Sequence, residues 1–278
     1  MVNDRPVRPD RSDDRTKVRE ALRDARSVVV LTGTGVSAES GIETYRGASG
    51  LWRNYDLSEL ASPEAWARDP GLVWEFYEFR RRSMSAAKPN AGHRALAELE
   101  HWFMDQERDF LLVTQNVDDL HLDAGSRQVV RLHGSIWQTR CERCFDVRVN
   151  RDQPIAHAFA GAGDPDPSAG RKFERADLPA CQLLGCGGVV RPAVVWFGET
   201  LDSGDVLRAT NATQEADVFV VVGTSAAVYP AAGLVDLAKQ AGAFVVEVNP
   251  GETPASALCD VALRGKSGEL LPQIVPDA

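Results

Sequence analysis

Four runs of apolar, largely β-branched residues limit what this chain can fold into: SVVVLTG (27–33), FLLVTQN (110–116), DVFVVVGTS (217–225) and AFVVEVNP (243–250). A run that stays apolar, without alternating polar positions, describes a strand buried on both faces. Helix-periodic stretches separate the runs. Residues 14–26 place Val18, Ala21, Leu22 and Ala25 on one face, and 90–105 and 230–240 read as helices too. Such strands alternating with helices predict an α/β fold, a parallel sheet covered by helices on both faces. Ligands of these sheets bind beyond the carboxyl ends of the strands, so the TGTG, TQN, GTS and VNP loops point towards one crevice.

Two regions break the rhythm. Residues 50–90 contain Ser62-Pro63 and Asp69-Pro70, each an N-cap followed by proline at the first helical position. Residues 135–189 carry two cysteine pairs around GAGDPDPSAG, a composition that predicts a mobile loop. The expected organisation is therefore a polar tail (1–13) and a sheet domain (14–49, 91–134 and 190–278). The insertions at 50–90 and 135–189 form a small lobe. The first residues carry both charge signs and no apolar stretch, and no run of eighteen apolar residues occurs, so a cytoplasmic protein without a membrane span is expected. The balance of 31 basic and 40 acidic residues, net charge −9, argues against nucleic acid as a partner. A monomer is expected.

Cys141 and Cys144 form a C-x2-C pair, Cys181 and Cys186 a C-x4-C pair, and Cys259 stands alone. Four thiolates presented as two close pairs suit one tetrahedral zinc ion, and with four sulfurs no coordination position stays open, which makes the ion structural. Reduced buried cysteines are the other reading. Cys259 reads as a small core residue.

The loop after the first run is G33-T-G-V-S-A-E-S-G41. Its glycines would let a backbone approach a pyrophosphate beside a helix start, although a tight strand-to-helix turn uses glycines in the same way. The longer string GTGVSAESGIETYRG (33–47) resembles the sirtuin signature. TQNVDDLH (114–121), LHG (132–134), RPAVVWFGE (191–199), GTSAAVYPAAG (223–233) and VEVN (246–249) follow in that family's order, so the resemblance runs from about residue 20 to 273.

The resemblance implies a Rossmann-like sheet with an inserted zinc-binding lobe, and an NAD-dependent deacylase of protein lysines that yields nicotinamide and O-acyl-ADP-ribose. His133 matches the catalytic base, a task suited to an imidazole titrating near neutrality. Asn116 and Asp118 match the positions that hold the nicotinamide amide and organise its pocket, with Val117 between them. Gln115 matches a contact to the nicotinamide ribose. Outside the resemblance, a lone histidine is more often structural, and Asp118 or Asp119 could cap the next helix. Gly33, Thr34, Gly35, Ser37, Ala38 and Glu39 match the glycine-rich loop, and Tyr45 and Arg46 the segment covering the cofactor. Gly223, Thr224, Ser225 and Asn249 match phosphate and adenosine-ribose contacts; Gly265 and Lys266 would lie by the adenine. Val194, Phe197, Gly198, Glu199, Val228 and Tyr229 match the segments that pair with substrate backbone on either side of the acylated lysine.

Tyr77 and Arg80 lie three apart in a helical stretch (70–86) and share a face. A phenol beside a guanidinium makes a receptor for a carboxylate, because arginine binds both oxygens. This Y-x-x-R resembles the class III sirtuins, which prefer succinyl-, malonyl- or glutaryl-lysine, and Ala61 matches that class's small residue beside the acyl chain. The alternative is a solvated basic face, since Arg81 and Arg82 follow directly. Thr34, Glu43 and Tyr45 stand where the family usually has Ala, Pro and Phe, which touches rate and NAD affinity rather than reaction type. The competing functions are a mainly deacetylating enzyme, an ADP-ribosyltransferase, or a non-catalytic NAD-binding module.

Overall fold

The computed structural model describes residues 12–43 and 51–276, so Tyr45 and Arg46 lie outside the described residues. The strands are β1 (Ser27–Thr32), β2 (Leu51–Trp52), β3 (Tyr55–Asp56), β4 (Asp109–Thr114), β5 (Val129–Arg131), β6 (Gly134–Cys141), β7 (Val147–Val149), β8 (Val190–Val194), β9 (Val218–Val222), β10 (Phe244–Val248) and β11 (Val261–Leu263). The helices are α1 (Ser12–Asp24), α2 (Gly35–Ala38), α3 (Leu57–Leu60), α4 (Pro63–Arg68), α5 (Pro70–Ala86), α6 (Ala91–Met104), α7 (Leu120–Asp123), α8 (Ser203–Gln214), α9 (Gly233–Ala241) and α10 (Ser267–Ile274). No helix among the described residues is long and apolar enough to cross a membrane.

All four apolar runs become strands of one parallel sheet of order β11-β10-β9-β1-β4-β5. β1 is the pivot: the chain adds β4 and β5 on one side, then returns to build β9, β10 and β11 on the other. That reversal opens the crevice beyond β1, β4 and β9. Successive residues of β1 serve opposite layers, as the period of two requires. Val28 and Val30 pack with Leu22 of α1, Leu96 and Phe103 of α6 and Leu271 of α10. Val29 and Leu31 pack with Ala209 of α8 and Val235 and Ala238 of α9. The expected α/β sheet covered on both faces is what forms.

A second, antiparallel sheet of order β7-β6-β8 stands beside it and carries the cysteines. Its core joins Trp66 of α4, Trp74, Phe76 and Tyr77 of α5, and Ile136 and Trp137 of β6. Both proline-marked helix starts occur where the sequence places them: Ser62 accepts from the Ala65 amide at 3.2 Å and Asp69 from the Leu72 amide at 2.9 Å. The GAGDPDPSAG region, which its composition marks as a loop, makes contacts with the rest of the lobe. Arg82 of α5 donates to the Ala162 carbonyl, and Arg53, which donates to the Asp164 carbonyl, forms a buried pair with Glu75 of α5 at 3.0 Å; Phe159 and Phe173, on either side of the region, stack at 4.1 Å.

Candidate active site

The glycine turn after β1 exists because the β1 and β9 loops touch. A Cβ on Gly35 would stand 2.6 Å from the Gly223 carbonyl oxygen, and one on Gly33 2.8 Å from Thr224 Cβ. Gly35 N–H donates to that Gly223 oxygen at 2.7 Å. Any side chain would pry the two loops apart, so glycine is imposed by the close approach, and the result is a cradle of bare backbone.

Ser37 of α2 reaches across to the loop after β4. Its hydroxyl donates to Asp118 Oδ2 at 2.8 Å and accepts from Asn116 Nδ2 at 3.1 Å. Asn116 is thereby held with Oδ1 buried and without a partner among the described residues. An orphaned buried acceptor is costly, and an amide N–H of a ligand would satisfy it. Asp118 accepts from the Leu120 amide at 2.9 Å and so caps the start of α7. Burial pushes its carboxyl up; the Leu120 amide and Ser37 pull the other way. Asp119 is structural: its carboxylate accepts from Arg131 and Ser135, both at 2.9 Å. Gln115 donates to Thr224 Oγ1 at 2.9 Å, and Asn249 donates to the Thr224 carbonyl at 2.8 Å.

His133 follows β5. Its Nδ1 lies 2.8 Å from the Gln115 carbonyl oxygen, which fixes Nδ1 as the protonated nitrogen and leaves Nε2 as acceptor. Burial lowers its pKa, opposed by the Gln115 carbonyl, so the ring is neutral at physiological pH.

These groups open on one cleft of about 940 Å³, lined by Gly33, Thr34, Ser37, Gln115, Asn116, Val117, Asp118, His133 and Thr224 and also by Ala61, Tyr77 and Arg80. Val194, Phe197, Gly198, Glu199, Val228 and Tyr229 line it as well. Gly35, Ala38, Glu39, Gly223, Ser225, Asn249, Gly265 and Lys266 are not among its walls. Gly265 adjoins Asn249, its amide 3.4 Å from the Asn249 carbonyl, and Lys266 is exposed. The Glu39 carboxylate is occupied by Ser267 Oγ at 3.1 Å and the Gly268 amide at 2.8 Å.

Tyr77 and Arg80 stand together in the cleft wall, the guanidinium carbon 5.9 Å from the Tyr77 ring centroid. The phenol accepts from Trp196 Nε1 at 3.0 Å. Of the three successive arginines Arg80 and Arg81 are buried and only Arg82 is exposed, so Tyr77 and Arg80 do not belong to a solvated basic face. Sequence reasoning passed over Met84, which also lines the cleft one turn beyond Arg80; its seven-residue spacing from Tyr77 was the available signal. The Glu199 side chain is engaged within the protein. Arg191 donates to both its carboxylate oxygens at 2.6 and 2.8 Å, and that carboxylate accepts from the Trp196 amide at 2.9 Å. The pair holds the Trp196-Phe197-Gly198 turn, leaving Phe197 and Tyr229 exposed at the mouth.

The cysteine pairs converge. Sγ of Cys141 is 3.6 Å from Cys186 and Sγ of Cys144 is 3.7 Å from Cys181, and all four sulfurs lie within 4.8 Å of one another. A tetrahedron of zinc–sulfur bonds of about 2.3 Å has sulfur–sulfur edges of about 3.8 Å, so the cluster fits one zinc ion. Gly188 makes room, since a Cβ there would sit 2.8 Å from Cys141 Sγ. Cys259 is remote and partly buried, its thiol donating to the Ala255 carbonyl at 3.1 Å.

The sequence profile of the Sir2 family matches residues 33–230. An NAD-dependent protein deacylase of Daphnia pulex is 45% identical over 263 residues, spanning 94% of this chain and 96% of that protein. The NAD-dependent protein deacylase sirtuin-5, mitochondrial, of Danio rerio is 43% identical over 262 residues, 94% of this chain and 86% of the other. Among solved structures, a Sir2 homologue in complex with NAD superposes with a TM-score of 0.80 at 41% identity, covering 97% of this chain and 94% of that one. The mitochondrial relative overturns the cytoplasmic expectation: a polar N-terminus of mixed charge does not fix a compartment.

Proposed function

The chain belongs to the Sir2 family and is an NAD-dependent protein deacylase, and we propose that it removes acidic acyl groups, succinyl, malonyl or glutaryl, from protein lysines, with weaker activity on acetyl-lysine. The observation that carries this reading is the presence of Tyr77 and Arg80 in the cleft that also holds His133. An acyl chain ending in a methyl group has no acceptor to offer the Arg80 guanidinium that lines the cleft. One ending in a carboxylate accepts a charge-assisted hydrogen bond from it and a second from the phenol. Burial raises the Tyr77 pKa, so the phenol keeps its proton and brings no opposing charge. Ala61, also in the cleft wall, leaves room for the longer chain.

The cofactor-facing residues suit NAD. The turn after β1, whose Gly33 and Thr34 line the cleft, offers backbone beside the start of α2 to a pyrophosphate, and the orphaned Asn116 Oδ1 is an acceptor for the nicotinamide amide. Bound NAD supplies the ribosyl carbon that receives the acyl oxygen and the nicotinamide that departs. His133, neutral, with Nδ1 bonded to the Gln115 carbonyl and Nε2 left as acceptor, would serve as the base for a ribose hydroxyl of bound NAD. Ser37 sets the rotamers of Asn116 and Asp118 together. A zinc ion on the four cysteine thiolates would brace the β6–β8 lobe and have no open position for a substrate.

The test is deacylation of one lysine peptide bearing succinyl, malonyl or acetyl, with NAD, by wild type, Arg80→Met and His133→Tyr. The reading requires acidic-acyl turnover well above acetyl turnover, a selective loss in Arg80→Met and no turnover in His133→Tyr. Acetyl preference that Arg80→Met leaves unchanged makes the enzyme a deacetylase. Absence of turnover by folded, zinc-loaded wild type makes the chain a binding module.

A further inference from the structure

Helix α5 carries two adjacent rows of side chains. Tyr77, Arg80 and Met84 line the cleft, whereas Glu78 and Arg81 face the zinc-bearing lobe. Arg81 is completely buried and bonded to backbone from three places. Nη1 donates to the Ile136 carbonyl at 2.8 Å; Nη2 donates to the Asn150 carbonyl at 3.0 Å, to Asn150 Oδ1 at 3.1 Å and to the Asp152 carbonyl at 2.8 Å. Glu78 accepts from the Ile155 amide at 2.8 Å and lies 3.7 Å from Arg81 Nε. Residue Ile136 joins this tie to the other end of the cleft: its amide donates to the Val117 carbonyl at 2.9 Å while its carbonyl receives Arg81. Next to it, Trp137 Nε1 donates to the Asp118 carbonyl at 2.9 Å.

We infer that Arg81 is a positioning residue for acyl selectivity: by locking α5 to the Ile136–Trp137 segment it fixes where Arg80 stands relative to the Asn116–Asp118 end of the cleft. The lever is short. On a helix whose side chains reach about 6 Å from the axis, a rotation of about 10° moves a side-chain tip by about 1 Å. Displacements of that size are felt as about a hundredfold where groups must meet in a fixed geometry. Lysine cannot substitute, because one ammonium cannot span carbonyls on both sides as the planar fork does. The acidic-acyl reading sets the direction of the effect; the tie itself stands on the contacts.

The test uses full-length, zinc-loaded enzyme as wild type, Arg81→Lys and the gentler Asn150→Ala, with kcat and KM measured separately for succinyl and acetyl forms of one peptide. Arg81→Lys should raise KM for the succinyl peptide about tenfold and lower the succinyl-to-acetyl ratio of kcat/KM equally, with acetyl kcat within about twofold. Asn150→Ala should move the ratio the same way by about twofold to threefold. A purely structural residue would lower kcat for both peptides by one factor at unchanged KM, and that outcome, or an unchanged ratio, overturns the inference. If Arg81→Lys does not fold, Asn150→Ala decides by the same ratio. A wild type that prefers acetyl refutes the acidic-acyl proposal alone, because a ratio shifted by Arg81→Lys still reports the tie.

Discussion

Replacing Tyr77 with phenylalanine removes one oxygen from a site where two different consequences can be read apart. The Tyr77 side chain is fully buried, and its hydroxyl accepts from Trp196 Nε1 at 3.0 Å, with Trp196 itself 2% exposed. The Phe ring fills the same space, so no cavity of consequence opens. The indole N–H is left buried without its acceptor, which costs about 1–3 kcal/mol of stability. At about 2–4 °C per kcal/mol for a domain of this size, Tm should fall by about 2–12 °C. Catalytically, the lost bond to an acyl carboxylate is charge-assisted, worth about 1.5–3 kcal/mol, or about 10- to 150-fold in kcat/KM for succinyl-lysine. Acetyl-lysine has no carboxylate and should keep its kcat/KM within about threefold. Steady-state kinetics on the paired peptides, with thermal unfolding of the same samples, gives both readouts. Equal losses for succinyl and acetyl peptides would refute the carboxylate contact and leave Tyr77 as a prop for Trp196.

Four further outcomes follow from the site. Burial lowers the His93 pKa to about 4, against about 6.5 in an unfolded chain, so between those values the native state binds fewer protons. Stability is therefore full above pH 6.5 and declines by about 3 kcal/mol as pH falls towards 4; a His93→Gln variant compared by denaturant unfolding at pH 7 and 4.5 should lose less, and an equal loss would contradict the assignment. Because burial also lowers the His133 pKa, the acid limb of the kcat/KM profile should fall below pH 6.5, and a limb above it would exclude this imidazole as the base. Gly35→Ala places a methyl 2.6 Å from the Gly223 oxygen and should cost about 1–3 kcal/mol while raising KM for NAD; unchanged NAD kinetics would mean the turn is not the cradle. Metal analysis should find one zinc per chain, lost in Cys144→Ser, with faster amide exchange in β6 and β8; a variant that keeps its zinc would show that Cys144 is not a ligand.

What was legible in the sequence was what neighbouring residues encode among themselves. β1, β4 and β9 are apolar runs and β10 is broken only at Glu247, a pattern that a strand covered on both faces uses. Ser62 and Asp69 announce helices because a cap and a proline act within one turn. The spacing of the cysteine pairs gave the metal cluster before any fold was known. The VVRL stretch before His133 reads as a strand and is β5, whereas β11 went unread because three residues at a sheet edge take their pairing from the strand alongside. α8 went unread because it buries only Ala209 and Thr213 and so has little apolar face to display.

The sequence by itself determined the α/β sheet, the cysteine set and the motif residues His133, Asn116 and Asp118. Tertiary structure alone decided which charges serve the cleft. Arg80 and Arg81 are adjacent in sequence, yet helical rotation sends one into the cleft and the other into a cage of carbonyls from Ile136, Asn150 and Asp152. Glu199 sits in a substrate-like motif but is claimed by Arg191, and Asp119 lies beside Asp118 but is held by Arg131. A charged side chain goes to whatever partner repays its desolvation, and that partner is set by elements distant in the chain.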